Sequence, residues 1–202
     1  MKVGVLSLQG DFAKHRRILE SLGIEPVNIR YPRQLDEVGG LIIPGGESTT
    51  MTKLIHRNHF FEPLIEFGKS NPVMGTCAGL ILMATEVPDA RVKPLGLLDI
   101  TVERNAYGRQ VHSFTDALKV SVNRHQARVP ATFIRAPKIT AVGERALVVA
   151  VYRDEPVAVQ QDNRIGLAFH PELDNVSFFH NILFGSRTGA LVQDQPDRIH
   201  AA

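Results

Sequence analysis

Strand-like and helix-like apolar patterns alternate through the first half of the chain. "KVGVLSLQG" (2–10) is a short β-rich run ending in glycine. "DFAKHRRILESLG" (11–23) follows, with Phe12, His15, Leu19 and Leu22 at helical spacing and Asp11 placed as an N-cap. "EPVNIRY" (25–31) predicts a second strand, and "GLIIPGGES" (40–48) an apolar strand broken by Pro44-Gly45-Gly46. Residues 49–70 carry a helical apolar face. A "VMG" strand, Cys77 and the run Leu80-Ile81-Leu82-Met83-Ala84 then predict strand, turn and buried helix. Strands apolar almost throughout, alternating with helices, predict a parallel sheet covered on both faces.

The second half is patterned differently. Residues 97–104, 117–122, 131–136, 146–154, 155–163 and 164–170 are short strand-like runs separated by Gly or polar turns, which predicts hairpins. "NVSFFHNILFGSR" (175–187) predicts a closing helix. We expect one domain over 1–187 and a polar, loosely held tail over 188–202.

Composition narrows the class. The 202 residues are 44% hydrophobic and 22% charged, enough for one sizeable core and too apolar for general disorder. Net charge is +2, and no Lys/Arg block is long enough to track a phosphate backbone, which argues against nucleic acid. A single cysteine excludes an intrachain disulfide framework and CxxC-type metal sites. The absence of an apolar stretch of about 18 residues or a secretory leader predicts a cytoplasmic protein that does not engage membranes.

That single cysteine carries the chemistry. Cys77 sits in G-x-C-x-G between a predicted strand and a predicted helix, the layout of a nucleophile elbow. A tight strand-to-helix turn pushes the middle side chain out above the sheet, and Gly75 and Gly79 relieve the crowding around it. The helix N-terminus behind favours a thiolate, and the Ala78 N–H points where an oxyanion could form. The bland alternative is that a lone cysteine is a small buried hydrophobe.

His170 and Glu172, in "FHPEL" (169–173), supply a candidate partner. In extended backbone i and i+2 project to one side, and Pro171 biases His170 toward that form. Glu172 can then hold one imidazole nitrogen while the other faces a nucleophile. The other histidines lack this setting: His56, His59 and His180 fall in helical segments, His112 and His125 in polar loops, and His15 and His200 look ordinary. In "LIIPGGESTT" (41–50), Ser48-Thr49-Thr50 can cap a helix, and the Gly46 N–H is a candidate second oxyanion donor. A phosphate loop would require Gly-Lys-Ser/Thr, and no lysine is present there.

Elbow cysteine, P-G-G-E-S loop and H-P-E together resemble the class I, triad-type glutamine amidotransferases. "LSLQGDFAKH", "IIPGGESTTM", "GTCAGLILMA", "GLLDITVERNAYGRQVHSF", "FIRAPKI" and "AFHPEL" occur in family order between residues 6 and 173. They are similar to the glutaminase subunits of pyridoxal 5′-phosphate synthases. The resemblance implies a three-layer, flavodoxin-like α/β fold with a mixed, mainly parallel sheet and helices on both faces. It implies Cys77 as nucleophile, His170 as general base and acid, Glu172 as its orienter, and Gly46 and Ala78 as oxyanion hole. It places L-glutamine contacts on Gly46, Glu47, Ser48, Arg104, Ile134 and Arg135. The arginine assignments suit the chemistry, because a planar, permanently charged fork matches an α-carboxylate. The resemblance further implies no metal or organic cofactor, and a partner: a (β/α)₈-barrel synthase subunit in a large hetero-oligomer. Two rivals stay open: a cysteine peptidase or other cysteine hydrolase on the same scaffold, and a non-catalytic glutamine-binding module.

Overall fold

The computed structural model describes residues 1–104 and 113–185. The chain runs through β1 (Lys2–Leu6), α1 (Phe12–Ser21), β2 (Glu25–Ile29), a 3₁₀ turn (Pro32–Glu37), β3 (Leu41–Ile43), α2 (Ser48–Arg57), α3 (Phe61–Ser70), β4 (Val73–Thr76) and α4 (Ala78–Met83). Then come β5 (Ala84–Glu86), β6 (Leu98–Glu103), β7 (Phe114–Val122), β8 (His125–Phe133), β9 (Lys138–Val142), β10 (Leu147–Tyr152), β11 (Glu155–Gln161), β12 (Arg164–Leu167) and α5 (Phe178–Phe184). The tail expected from residue 188, residues 105–110 of the "VERNAYGRQ" motif, His112 and His200 lie outside the described residues.

Nine strands form one sheet in the order β2-β1-β3-β4-β12-β11-β10-β7-β8. Pairings from β2 to β12 are parallel, and those from β12 to β8 are antiparallel hairpin-type ladders. This is an α/β fold on a mixed sheet. The parallel strands β3 and β4 are buried at every position, as strands covered on both faces must be. The antiparallel strand β7 alternates buried and exposed positions along its C-terminal half. A small sheet, β5-β6-β9, contacts β11 through β6 and β9.

The helical face over 49–70 is two helices, not one. At the end of α2 the Phe60 N–H donates to the Ile55 carbonyl and the His59 N–H to the His56 carbonyl, a Schellman stop. His59 takes φ +58° at the position glycine usually fills, and Phe60 is fully buried beyond it. A second correction concerns the start of α2. Glu47 caps it, not Ser48-Thr49-Thr50: the carboxylate accepts from the Thr49 and Thr50 N–H groups at 3.0 and 2.7 Å and from both hydroxyls. Asp11 holds the N-cap position of α1 without a side-chain capping bond. Strand β8 ends at Phe133, earlier than expected, because Arg135 turns the chain with φ +44°.

Candidate active site

The C-terminal ends of three parallel neighbours, β3, β4 and β12, point into one cleft, where ligands bind in open α/β sheets. Cys77 follows β4 with φ +49° and ψ −102°, a backbone region that holds an L-residue only under local strain. Its N–H is fixed on the Leu167 carbonyl of β12 at 2.8 Å. The flanking glycines are sterically required. A Cβ at Gly79 would lie 2.0 Å from the Ile43 carbonyl oxygen, and one at Gly75 would lie 2.7 Å from the Gly79 carbonyl carbon. Gly75 and Gly79 thus let the elbow press against β3.

His170 follows β12, with its N–H bonded to the Thr132 carbonyl of β8 at 2.9 Å. The segment to Glu172 is a turn, in which the Leu173 N–H donates to the His170 carbonyl at 3.2 Å, and not the extended run expected. The two side chains still meet, with His170 Nδ1 and Glu172 Oε1 at 2.6 Å. Cys77 and His170 line the same cleft, and the sulfur lies close enough to act on the charge of the imidazole. Burial works against the imidazolium, but the cysteine sulfur and then the Glu172 carboxylate outweigh it, and the His170 pKa is raised to about 10. The site is therefore built to favour a positive imidazole.

The glycine-rich loop after β3 crosses in front of this pair. A Cβ on Gly45 would lie 2.5 Å from His170 Cε1 and 3.5 Å from Cys77 Cβ, so only glycine fits. Gln9 and Gly10, just past β1, pin the loop from behind. Gln9 Oε1 accepts the Glu47 N–H at 2.9 Å, and the Gly45 carbonyl accepts the Asp11 N–H at 3.3 Å. Gly10 runs at φ +104°, and a Cβ there would sit 1.9 Å from the Gly45 oxygen.

The cleft has a volume of about 420 Å³. Gly46, Glu47, Ser48, Arg104, Ile134 and Arg135 line it with Cys77 and His170. Ala78, the first residue of α4, is buried directly behind Cys77 and does not line the cleft with a side chain. The Ile134 carbonyl accepts a long contact from Cys77 Sγ at 4.0 Å. Arg104 lies in the turn after β6, not in the strand, and its guanidinium donates to Asp89 at 2.6 Å and to Glu47 at 3.2 Å. Asp89 is held well below the usual carboxylate range, first by its bonds to Arg91 and then by Arg104. Glu47, despite some desolvation, falls to about 2 through its bonds to Thr49 and Thr50. Among the described residues no group of His, Cys, Asp and Glu could hold a metal ion.

Four residues of this environment escaped the sequence reading. Gln9 was findable, because a polar side chain just past a parallel strand faces the ligand end of the sheet. Asp89 carried no local signal. His15 and His180 are fully buried and touch each other, contrary to the expectation that His15 is ordinary.

Comparison with known proteins places the chain in a family. Residues 5–184 match the model of the SNO glutamine amidotransferase family. A protein of Desulforamulus reducens named "Pyridoxal 5'-phosphate synthase subunit PdxT" is 47% identical over 176 residues, 87% of this chain and 93% of that protein. One of the same name from Dehalococcoides mccartyi strain BAV1 is 48% identical over 184 residues, covering 89% and 94%. A solved structure described as "Crystal structure of glutamine amidotransferase" superposes with a TM-score of 0.83 at 40% identity, covering 90% of this chain and 96% of its own. The structure of PurLQS from Thermotoga maritima, at 19% identity and a TM-score of 0.65, shares the fold. With a matched region that runs from β1 through the elbow and H-P-E to α5, the chain belongs to the SNO glutamine amidotransferase family.

Proposed function

We propose that this chain is the glutaminase subunit of a pyridoxal 5′-phosphate synthase, which hydrolyses L-glutamine to L-glutamate and ammonia. The observation that carries the chemistry is the convergence of Cys77 and His170 on one cleft, with His170 held on Glu172 at 2.6 Å. In this reading residues 1–187 work as one glutaminase domain in the cytoplasm.

Glutamine enters with its side-chain amide toward Cys77. Arg104, already neutralised on one side by Asp89, presents its remaining donor capacity to the α-carboxylate, and Glu47 faces the α-ammonium. The Cys77 sulfur attacks the amide carbon and the C=O electrons move to oxygen. That oxyanion is held by the N–H groups of Gly46 and Ala78, a term worth about 10²–10³ in rate per donor in comparable sites. His170, protonated by the thiol, gives its proton to the leaving nitrogen as the C–N bond breaks, and ammonia departs. The γ-glutamyl thioester is hydrolysed by a water that His170 deprotonates, and the thiol returns when the proton passes back to sulfur. Glu172 keeps the imidazole oriented and stabilises its charge in both halves. No metal or organic cofactor takes part. Ammonia passes to a separate (β/α)₈-barrel synthase subunit, with which the chain forms a large hetero-oligomer.

The test is ammonia release from L-glutamine with the synthase subunit present. A glutamine-mimicking electrophile should label Cys77, and His170→Ala should slow that labelling. Peptide cleavage with glutamine untouched would replace this reading by a peptidase. Labelling without turnover would replace it by a glutamine-binding module.

A further inference from the structure

Behind the candidate triad lies a buried polar chain that the reaction as described does not use. His15 on α1 and His180 on α5 are both fully buried, and Glu172 is 1% exposed. His15 Nε2 lies 3.5 Å from Glu172 Oε2, the oxygen that His170 leaves vacant, and 3.2 Å from Thr76 Oγ1, the residue before Cys77. His15 Nδ1 meets His180 Nε2 at 3.0 Å. Glu172 Oε2 is buried and makes no hydrogen bond, and His15 Nε2 approaches it at 3.5 Å.

His15 occupies a position on the inner face of α1 beside Ile18 and Leu19, where the helical pattern calls for an apolar side chain. Leucine would pack there without desolvating a ring nitrogen, so polar groups at this depth call for a reason beyond packing. Burial, then the neighbouring His180 and His170, hold His15 neutral, and burial lowers His180 to about 3. A neutral imidazole has one proton to place. A carboxylate only accepts, so the His15 proton belongs on Nε2, toward Glu172 Oε2 and Thr76. Its Nδ1 then accepts from His180 Nε2–H, which leaves the buried His180 Nδ1, near the Val176 backbone, without a proton to donate.

We propose that His15 is a positioning residue for glutamine hydrolysis, donating to the second oxygen of Glu172 and so fixing the plane in which the first oxygen holds His170. The inference rests on the triad reading above. It gives each oxygen of one buried carboxylate a separate task. Oε1 orients the working imidazole, and Oε2 is tied to α1, with His180 holding the His15 ring from behind. At 3.5 Å the contact is long, and it is expected to shorten in the working complex, as such contacts do. The contact also ties α1 to the catalytic turn, so the outer helix and the elbow share one register.

The experiment compares His15→Leu, which keeps bulk and removes the donor, with His15→Gln, whose amide N–H reaches the Nε2 position. Both are assayed for glutamine hydrolysis in complex with the synthase subunit. The expected result is a kcat lower by roughly 10–100-fold in His15→Leu, the range seen when outer partners of a working histidine are lost. KM should stay within about twofold, and His15→Gln should recover most of the lost kcat. A folded His15→Leu with wild-type kcat overturns the proposal, as does a His15→Gln no better than leucine. If His15→Leu does not fold, ¹⁵N-imidazole spectra of the wild-type protein decide: a protonated His15 Nε2 is expected, and a bare Nε2 overturns the proposal. Cys77→Ala is assayed alongside. Its silence beside an unaffected His15→Leu would sink this inference alone, whereas turnover by Cys77→Ala would sink the triad reading and this inference with it.

Discussion

From β2 to β12 every pairing in the large sheet is parallel and the central strands bury all their side chains, whereas from β12 to β8 the pairings are antiparallel and β7 turns alternate residues to solvent. The cleft straddles that seam. The parallel half contributes the strained elbow, the glycine loop and the imidazole, all at strand ends that close packing leaves no room to adjust. The antiparallel half contributes Ile134 and Arg135, on a turn just past β8, and anchors the His170 backbone through Thr132. Chemistry that needs atoms fixed to a fraction of an ångström sits where both sheet faces are covered. Substrate recognition sits at the rim, where side chains have freedom to meet a ligand.

This contrast can be broken in graded steps. Cys77→Ala should lower glutamine turnover by more than about 10³-fold, because removal of a nucleophile leaves only binding and oxyanion effects. Ammonia release with the synthase subunit present is the measurement, and residual activity near wild type would remove the parallel half's claim to the chemistry. Gly45→Ala comes next. Its methyl would lie 2.5 Å from His170 Cε1, so the imidazole must move. A displacement of about 1 Å typically costs about 10² in kcat, which steady-state rates would register. On the rim, Arg104→Lys should act on KM by roughly tenfold and on kcat by less, because a point charge replaces the fork that spans Asp89 and the ligand. A fall confined to kcat would move Arg104 out of the recognition set.

Two smaller effects sharpen the same boundary. Glu47→Ala removes the cap of α2 and should destabilise by about 1 kcal/mol at pH 7. The Glu47 carboxyl is pushed down to about 2 in the fold, so its contribution is present above its unfolded value and is lost as pH falls through about 2. Urea midpoints of the two proteins should therefore converge in acid, and a gap independent of pH would assign the loss to packing instead. Smallest is Leu147→Thr. Leu147, on β10, is 66% exposed in the antiparallel half, and the change should stay within about 0.5 kcal/mol with turnover unaltered.

Much of the site was legible in the sequence because its signals are local. G-x-C-x-G announces a turn too crowded for side chains at both second neighbours, and Ile43 and Gly79 show the crowding directly. P-G-G-E-S marked a loop in which a Cβ on Gly45 or Gly46 would crowd His170 or Gln9. Capping was misread there, since a two-carbon reach lets Glu47 take two backbone N–H groups and two hydroxyls that shorter side chains farther along could not. H-P-E was placed correctly for a partly wrong local reason: the pair meets across a turn, not along an extended run.

What the sequence determined by itself is the alternation of strands and helices in the first half, the elbow, and the residue types able to carry acyl transfer, because sterics within a few residues dictate them; β5 and β9 of the small sheet were not read from it. Tertiary structure alone decided the place of His15 and His180. His15 reads as one more residue on an apolar helical face, and its meaning comes from Glu172 and His180, more than 150 positions away, packed against it in the same dry interior. Burial strips water from each of these groups, so each must find its partner in the protein, and the partner is chosen by how helices fold against the sheet rather than by anything written beside it in the chain.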